Sequence, residues 1–289
     1  MTVSCPSASK SLGRPLAAKT IAIRSAVLEL TDVHSTMTVR QIFYALEVRG
    51  VVPKDESGYR SVQAQVLRMR REGLLPWQFV SDSTRWQRKP ATWDSVEDAL
   101  DHVKRTYRRN LWASQRLRVE VWMEKDALAG VVMEATAPWD VALMVSRGTA
   151  SATFLYEAAQ EAKIAYETAA VETMVFALYD QDAAGRRASR AIERGLREHA
   201  PNVPIEFRLI AVTDHQVDEW QLPTRPAKKS DPEAEKFEGD AVELDAISPD
   251  KLISLVETAI TTCINPKAWA IEREYERSER ELLERMVAA

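Results

Sequence analysis

The chain has 289 residues, of which 45% are hydrophobic and 28% charged, and its net charge at neutral pH is −4. That is enough for one large or two ordinary domains with a sizeable core, and the balance is that of a globular protein rather than a disordered one. Two cysteines, Cys5 and Cys263, exclude a disulfide framework and a cysteine-built zinc site. No apolar run reaches membrane-spanning length and the opening residues lack the apolar stretch of a signal peptide, so a cytoplasmic protein is expected.

The mild overall charge hides an asymmetry. Residues 1–118 carry 20 Lys and Arg against 11 Asp and Glu, whereas residues 119–289 carry 19 against 32. A basic first half can track phosphates and an acidic second half can hold cations; solvated surface is the plainer alternative for both. Residues 1–35 read as a polar arm followed by an amphipathic helix over 15–33. In residues 36–50, Thr38 is placed to cap a helix and Gly50 to stop it. Val39, Ile42, Phe43 and Leu46 form the core-facing stripe of that helix. Arg40 and Tyr44 lie four apart off the stripe, so they are neighbours. An arginine beside a phenol is expected to ease its deprotonation and to meet a phosphate; a surface tyrosine with a stacked arginine is the simpler reading.

A second helix is expected over residues 59–72, carrying Arg60, Arg68, Arg70 and Arg71. A strand-like run over 74–80 and a turn follow, then Arg85, Arg88 and Lys89. Helix, helix and short hairpin is the layout of a winged helix over residues 36–112, in which one helix lies on duplex DNA and the wing touches its backbone. Arg60, Arg68, Arg71, Arg85, Arg88 and Lys89 are the expected DNA contacts, while Trp77, Trp86 and Trp93 are assigned to core and hairpin packing. A third helix runs over 95–109, and a domain boundary is expected within 110–116.

From residue 117 the pattern alternates between strands and helices. Strands are expected over 117–123, 139–145, 174–179 and 205–212, and helices over 127–134, 150–163 and 183–199. Such repetition means a parallel sheet with right-handed crossovers, so the fold class is α/β, with this second domain spanning 117–289. Glu124, Arg147, Asp180 and Asp182 all fall at strand carboxyl ends, the edge at which open α/β sheets bind ligands. Two carboxylates at i and i+2 of an extended segment point the same way and suit Mg²⁺; the bland alternative is that Asp182 caps the next helix. Residues 223–239, rich in proline and charge, read as an excursion, and helices are expected over 249–264 and 267–286. The four histidines share no metal-ligand spacing.

Glu124 after one strand, with Asp180-Gln181-Asp182 and Gly185 after a later one, resembles the Toprim domain of topoisomerases, bacterial primases and certain nucleases. Preceded by Arg40-Gln41-Ile42-Phe43-Tyr44, the combination resembles the A subunit of topoisomerase VI and the related meiotic double-strand-break transesterases, in a compact stand-alone "mini-A" form. Val119 to Lys125, Ser146-Arg147-Gly148-Thr149 and Val242 to Ala246 are similar to further segments of that family. The resemblance covers about residues 36–260. It departs where Ala183 replaces the family's proline and in the lack of an ATPase module.

The resemblance implies that Tyr44 attacks a DNA phosphodiester, assisted by Arg40, to leave a covalent 5′-phosphotyrosyl link. It also implies that Glu124, Asp180 and Asp182 hold Mg²⁺ (or Mn²⁺), with Glu124 counted in the catalytic set. Lys125 and Arg147 would be phosphate contacts. The implied partners are double-stranded DNA, a second copy in a homodimer and possible service from a separate GHKL-type ATPase subunit, with nucleoid association in the cytoplasm. A Toprim nuclease using activated water and a non-catalytic DNA-binding protein are the rivals.

Overall fold

The computed structural model describes residues 17–80, 91–148, 150–225 and 241–288. The chain opens on three helices, α1 (Ala18–Thr31), α2 (Val39–Val48) and α3 (Glu56–Arg71). Ile23, Ala26, Val27 and Leu30 give α1 one buried stripe. Helix α2 starts with a capping box in which the Thr38 hydroxyl accepts from the Gln41 amide and the Gln41 side chain accepts from the Thr38 amide. Helix α3 begins at Glu56, earlier than residue 59, because Asp55 caps it through the Gly58 amide at 2.7 Å. These helices and the segment after them share one core that includes Val27, Ile42, Leu46, Val62, Met69 and Phe79.

The strand expected over 74–80 does not form. Pro76, which has no amide hydrogen to donate, leads instead into a 3₁₀ turn, Trp77–Phe79, and Val80 makes a single bridge to Met37. The packing role expected of the tryptophans also fails for the two that are described. Trp77 is exposed, with the Arg70 guanidinium 4.1 Å over its ring, and Trp93 is exposed beside His102. Trp86, Arg85, Arg88 and Lys89, and with them the expected wing, lie outside the described residues. Helix α4 (Val96–Thr106), capped by Ser95, follows.

The second half is an α/β fold. Strands β1 (Leu117–Met123), β2 (Ala142–Val145), β3 (Glu172–Leu178) and β4 (Ile205–Ala211) form one parallel sheet in the order β2-β1-β3-β4. Strand β2 is shorter than the expected 139–145 because Ala137–Trp139 form a 3₁₀ turn around Pro138 and Asp140 turns left-handed at φ 52°. The central strands β1 and β3 are buried on both faces, as parallel strands under helices must be. Val119, Val121 and Met123 face a layer containing α5 (Ala129–Thr136) and α9 (Pro249–Thr262). Trp122, Val175 and Ala177 face α6 (Ala152–Ala169) and α7 (Ala183–His199). Helices α8 (Asp214–Trp220) and α10 (Pro266–Ala288) complete the chain.

This topology fixes where a ligand can enter. The chain leaves β1 for one edge of the sheet, through α5 on one face, and leaves β3 for the other edge, through α7 on the opposite face. The crevice between the carboxyl ends of β1 and β3 is therefore the switch point of the sheet. Met123 pairs with Leu178 in register, so Glu124 and the Tyr179-Asp180 pair leave the sheet side by side.

Candidate functional site

A cavity of about 180 Å³ opens at that crevice, lined by Glu124, Lys125, Gly148, Leu178, Asp180 and Leu244. Its two carboxylates come from the two central strands. Asp180 is followed by an extended Gln181 and Asp182, and a short segment from late in the chain is bonded along them. Gln181 and Val242 exchange backbone hydrogen bonds at 2.8 and 3.0 Å, and the Leu244 amide donates to Asp180 Oδ1 at 2.8 Å. Gly185 explains its own place in the motif, since a Cβ there would lie 2.2 Å from the Asp180 carbonyl oxygen. Only glycine lets α7 start this close to the strand end.

Asp182 is the N-cap of α7, its Oδ1 accepting from the Gly185 amide at 2.8 Å, and its Oδ2 stands 3.5 Å from Arg225. The capping alternative thus describes one of its oxygens. Among the described residues no three Asp, Glu, His or Cys side chains are grouped as an ion's ligands, so the expected trio of Glu124, Asp180 and Asp182 is not assembled here as a coordination set. Two of them do share the cavity. Burial raises the Glu124 pKa and the neighbouring charge of Asp182 raises it further, against a downward pull from Lys125. Burial likewise pushes Asp180 up to about 6, opposed by Lys125 and the Leu244 amide.

Beside this pair lies an ion-pair lattice. Glu243, 5% exposed, accepts from Arg40 Nε at 2.7 Å, Arg225 Nη1 at 3.0 Å and Lys125 Nζ at 3.3 Å. Lys125 also pairs with the buried Asp245, to which the Thr38 hydroxyl donates at 3.3 Å. Burial works against the Glu243 charge, but Lys125, Arg40 and Arg225 together hold its pKa below the usual carboxylate value. Lys125 stays charged in spite of burial because Asp245, Asp180 and Glu243 surround it. The lattice joins the first helices to the sheet edge, since Arg40 and Thr38 belong to α2 and its cap.

Tyr44 sits at the far end of the lattice, one turn of α2 beyond Arg40. It is 9% exposed and lines a second cavity, of about 290 Å³, between α2 and the segment after α8. Its ionisation is not eased, contrary to the expectation from spacing. Burial raises its pKa and Glu243 raises it further, and together they outweigh the lowering by Arg40.

The remaining candidates are spread. Arg60 pairs with Glu56 at 3.1 Å on the exposed face of α3, where Arg68 and Arg71 are also exposed. Arg147, left-handed at φ 49°, pairs with Asp126 at 3.0 Å at the end of β2. Lys125, expected to meet phosphate, is committed to Glu243 and Asp245. Three site residues had no role in the sequence reading: Arg225, and Glu243 and Asp245, which lie in the segment Val242 to Ala246 noted there only for its resemblance. The signal for two of them was the Glu243-x-Asp245 spacing, which repeats that of Asp180 and Asp182; Arg225 carries no local signal. Comparison with protein-family models and with curated proteins finds no match to this chain.

Proposed function

We propose that the chain cleaves duplex DNA by transesterification from Tyr44, with a divalent cation held at Glu124 and Asp180, in the manner of a type IIB topoisomerase A subunit. The observation that carries this reading is the run of ion pairs from Arg40, one helical turn from Tyr44, through Glu243 and Lys125 to the Asp180 cavity. It links the phenol of a basic helical module to the acidic edge of a parallel sheet. On this reading the first module is a winged-helix domain and the second a Toprim domain, working as a homodimer.

The donor set suits Mg²⁺ or Mn²⁺. Glu124 and Asp180 offer hard oxygen ligands to one cavity, and Mg²⁺ takes one or two carboxylates together with phosphate oxygens. Their raised pKa values are what two poorly compensated carboxylates show before a cation relieves them. Bound there, the ion would supply positive charge to the scissile phosphate. The chain's own residues do the rest. Arg40 exchanges its Glu243 partner for a phosphate oxygen as DNA arrives, which frees the Tyr44 hydroxyl from its buried seat. The Tyr44 oxygen gives its proton to solvent and bonds to phosphorus, and the bond from phosphorus to the 3′ oxygen breaks, that oxygen leaving with its electron pair and taking a proton from water to become a 3′ hydroxyl. Arg60, Arg68, Arg71 and Arg147 neutralise backbone phosphates. Strand passage driven by ATP would need a separate GHKL-type ATPase subunit.

The burial of Tyr44 favours one second reading, a Toprim nuclease in which activated water replaces the phenol. Supercoiled plasmid incubated with Mg²⁺ and quenched with denaturant separates the two. Tyr44→Phe is expected to abolish cleavage and the protein–DNA adduct, as is Glu124→Gln. Cleavage that survives Tyr44→Phe but not Glu124→Gln assigns the activity to water instead.

A further inference from the structure

Helix α4 is amphipathic yet places none of its eleven residues in a core. Val96, Leu100 and Val103, at helical spacing, are all exposed. An isolated helix of that length is marginal in water, and α4 packs on α10. Helix α10, 23 residues long, buries Glu272 and packs Trp269 on Trp112 and Trp139 near its start, and leaves the side chains described beyond Glu272 at least partly exposed. Its inner side is fixed to the body, where Arg109 donates to Glu272 at 2.6 Å and to Glu279 at 2.7 Å, and Tyr107 donates to Glu279 at 2.6 Å. Its outer side carries Ile271, Tyr275, Leu282 and Met286, which are 50–64% exposed, with the Arg109 guanidinium 5.1 Å over one face of the Tyr275 ring.

The order of that outer stripe points to its occupant. The gaps along it are four, seven and four residues, a spacing that reads the same in either direction. A second α10 crossing antiparallel, with the two-fold axis between Ser278 and Glu279, brings Ile271 opposite Met286 and Tyr275 opposite Leu282. Such self-complementarity is what a two-fold interface requires. Ser278, small and on the same side, stands at the crossing, where close approach matters most. Glu274 and Arg285 share one flank of the stripe, about 20° apart in helical projection. An antiparallel copy, in which the same flank of each helix meets, therefore sets each Glu274 near the other copy's Arg285. Arg285 makes no ion pair among the described residues, while Glu274 already pairs with Arg277 through one oxygen and would share itself between the two arginines.

We propose that the outer face of α10 is the docking surface for a second copy of this chain. The surface lies outside the Glu124–Asp180 cavity and its assignment does not depend on the cleavage chemistry. Sedimentation equilibrium of the full chain reads the assembly directly. The unaltered protein is expected at twice the chain mass, and the double variant Ile271→Glu, Leu282→Glu at the single mass. Because both side chains are already exposed, the variant should melt at the same temperature when compared as monomers at high dilution. Orientation is read by cross-linking. With Cys5 and Cys263 replaced by serine, a chain bearing Ile271→Cys and Met286→Cys should form an intermolecular 271–286 disulfide and little 271–271. A monomeric unaltered protein, a dimer that survives the double variant, or a dominant 271–271 link would each overturn the proposal.

Discussion

Glu243 and Glu124 are both acidic side chains at the same sheet edge, and they are held in opposite ways. Glu243 is surrounded by Lys125, Arg40 and Arg225 and its pKa is lowered in spite of burial. Glu124 is partly buried, stands near another carboxylate and has its pKa raised. A carboxylate with three cations around it is a brace: its charge is spent on joining α2 to the sheet. A carboxylate left short of positive charge is available to a cation that arrives from solution. The same distinction separates Asp245, locked to Lys125, from Asp180, which lines the cavity.

The largest expected effect breaks the under-compensated side. Glu124→Gln or Asp180→Asn should lower DNA cleavage by about 10³-fold, the scale expected when electrostatic support of a transition state is removed. Neither should destabilise the metal-free fold, because each removes a charge the fold disfavours. Denaturant unfolding beside a plasmid assay checks both halves of that statement. Breaking the brace should do the reverse to stability. Glu243→Gln takes from Arg40 its ion-pair partner and leaves Lys125 and Arg225 with Asp245 and Asp182 alone, and should cost about 3 kcal/mol, read as a lower urea midpoint at unchanged slope.

A pH titration sharpens the same contrast. Burial pushes the Asp180 pKa up to about 6 in the fold from its ordinary value of 3.8. Between those values the native state binds more protons than the unfolded chain, so its contribution is full below about pH 4 and is lost as pH rises through 6. Metal-free protein should lose on the order of 2–3 kcal/mol over that window from this group, and Asp180→Asn should flatten that part of the profile. Glu243 acts with the opposite sign: its lowered pKa gives stability that is present above the ordinary glutamate range and lost on acidification. Gly185→Ala tests the backbone under the site. The added methyl meets the Asp180 carbonyl oxygen, and a cost of about 2 kcal/mol is expected, with weakened Mn²⁺ binding by calorimetry. The smallest effect belongs to the exposed arginines: Arg68→Ala should reduce the salt dependence of DNA binding by about one phosphate contact.

How much of this was legible in the sequence follows from where each contact lies along the chain. Strand β1 and helix α7 appear at the bounds the pattern gives, because a continuous apolar run and a capped amphipathic helix are local signals. The convergence of Glu124 and Asp180 followed from strand alternation alone, since a parallel sheet must gather its carboxyl ends. The lattice was not legible in that way. Glu243 reaches the site only because Val242 pairs with Gln181 across a wide sequence gap, and no periodicity reports such a bridge. The 3₁₀ turn at Trp77–Phe79 was hidden because an apolar aromatic run looks the same in a strand and in a turn behind proline. The raised pKa of Tyr44 needed the third dimension as well: Arg40 is its neighbour along the helix, but Glu243 and burial come from the fold.

The central claim is that a phenol, not water, opens the phosphodiester. Mass spectrometry of a denaturant-quenched reaction with Mg²⁺, trimmed by nuclease and digested with protease, addresses it directly. The account predicts a peptide spanning α2 with a nucleotide joined through its 5′ phosphate to Tyr44. Cleaved DNA with free 5′ ends and an unmodified Tyr44 peptide would contradict it.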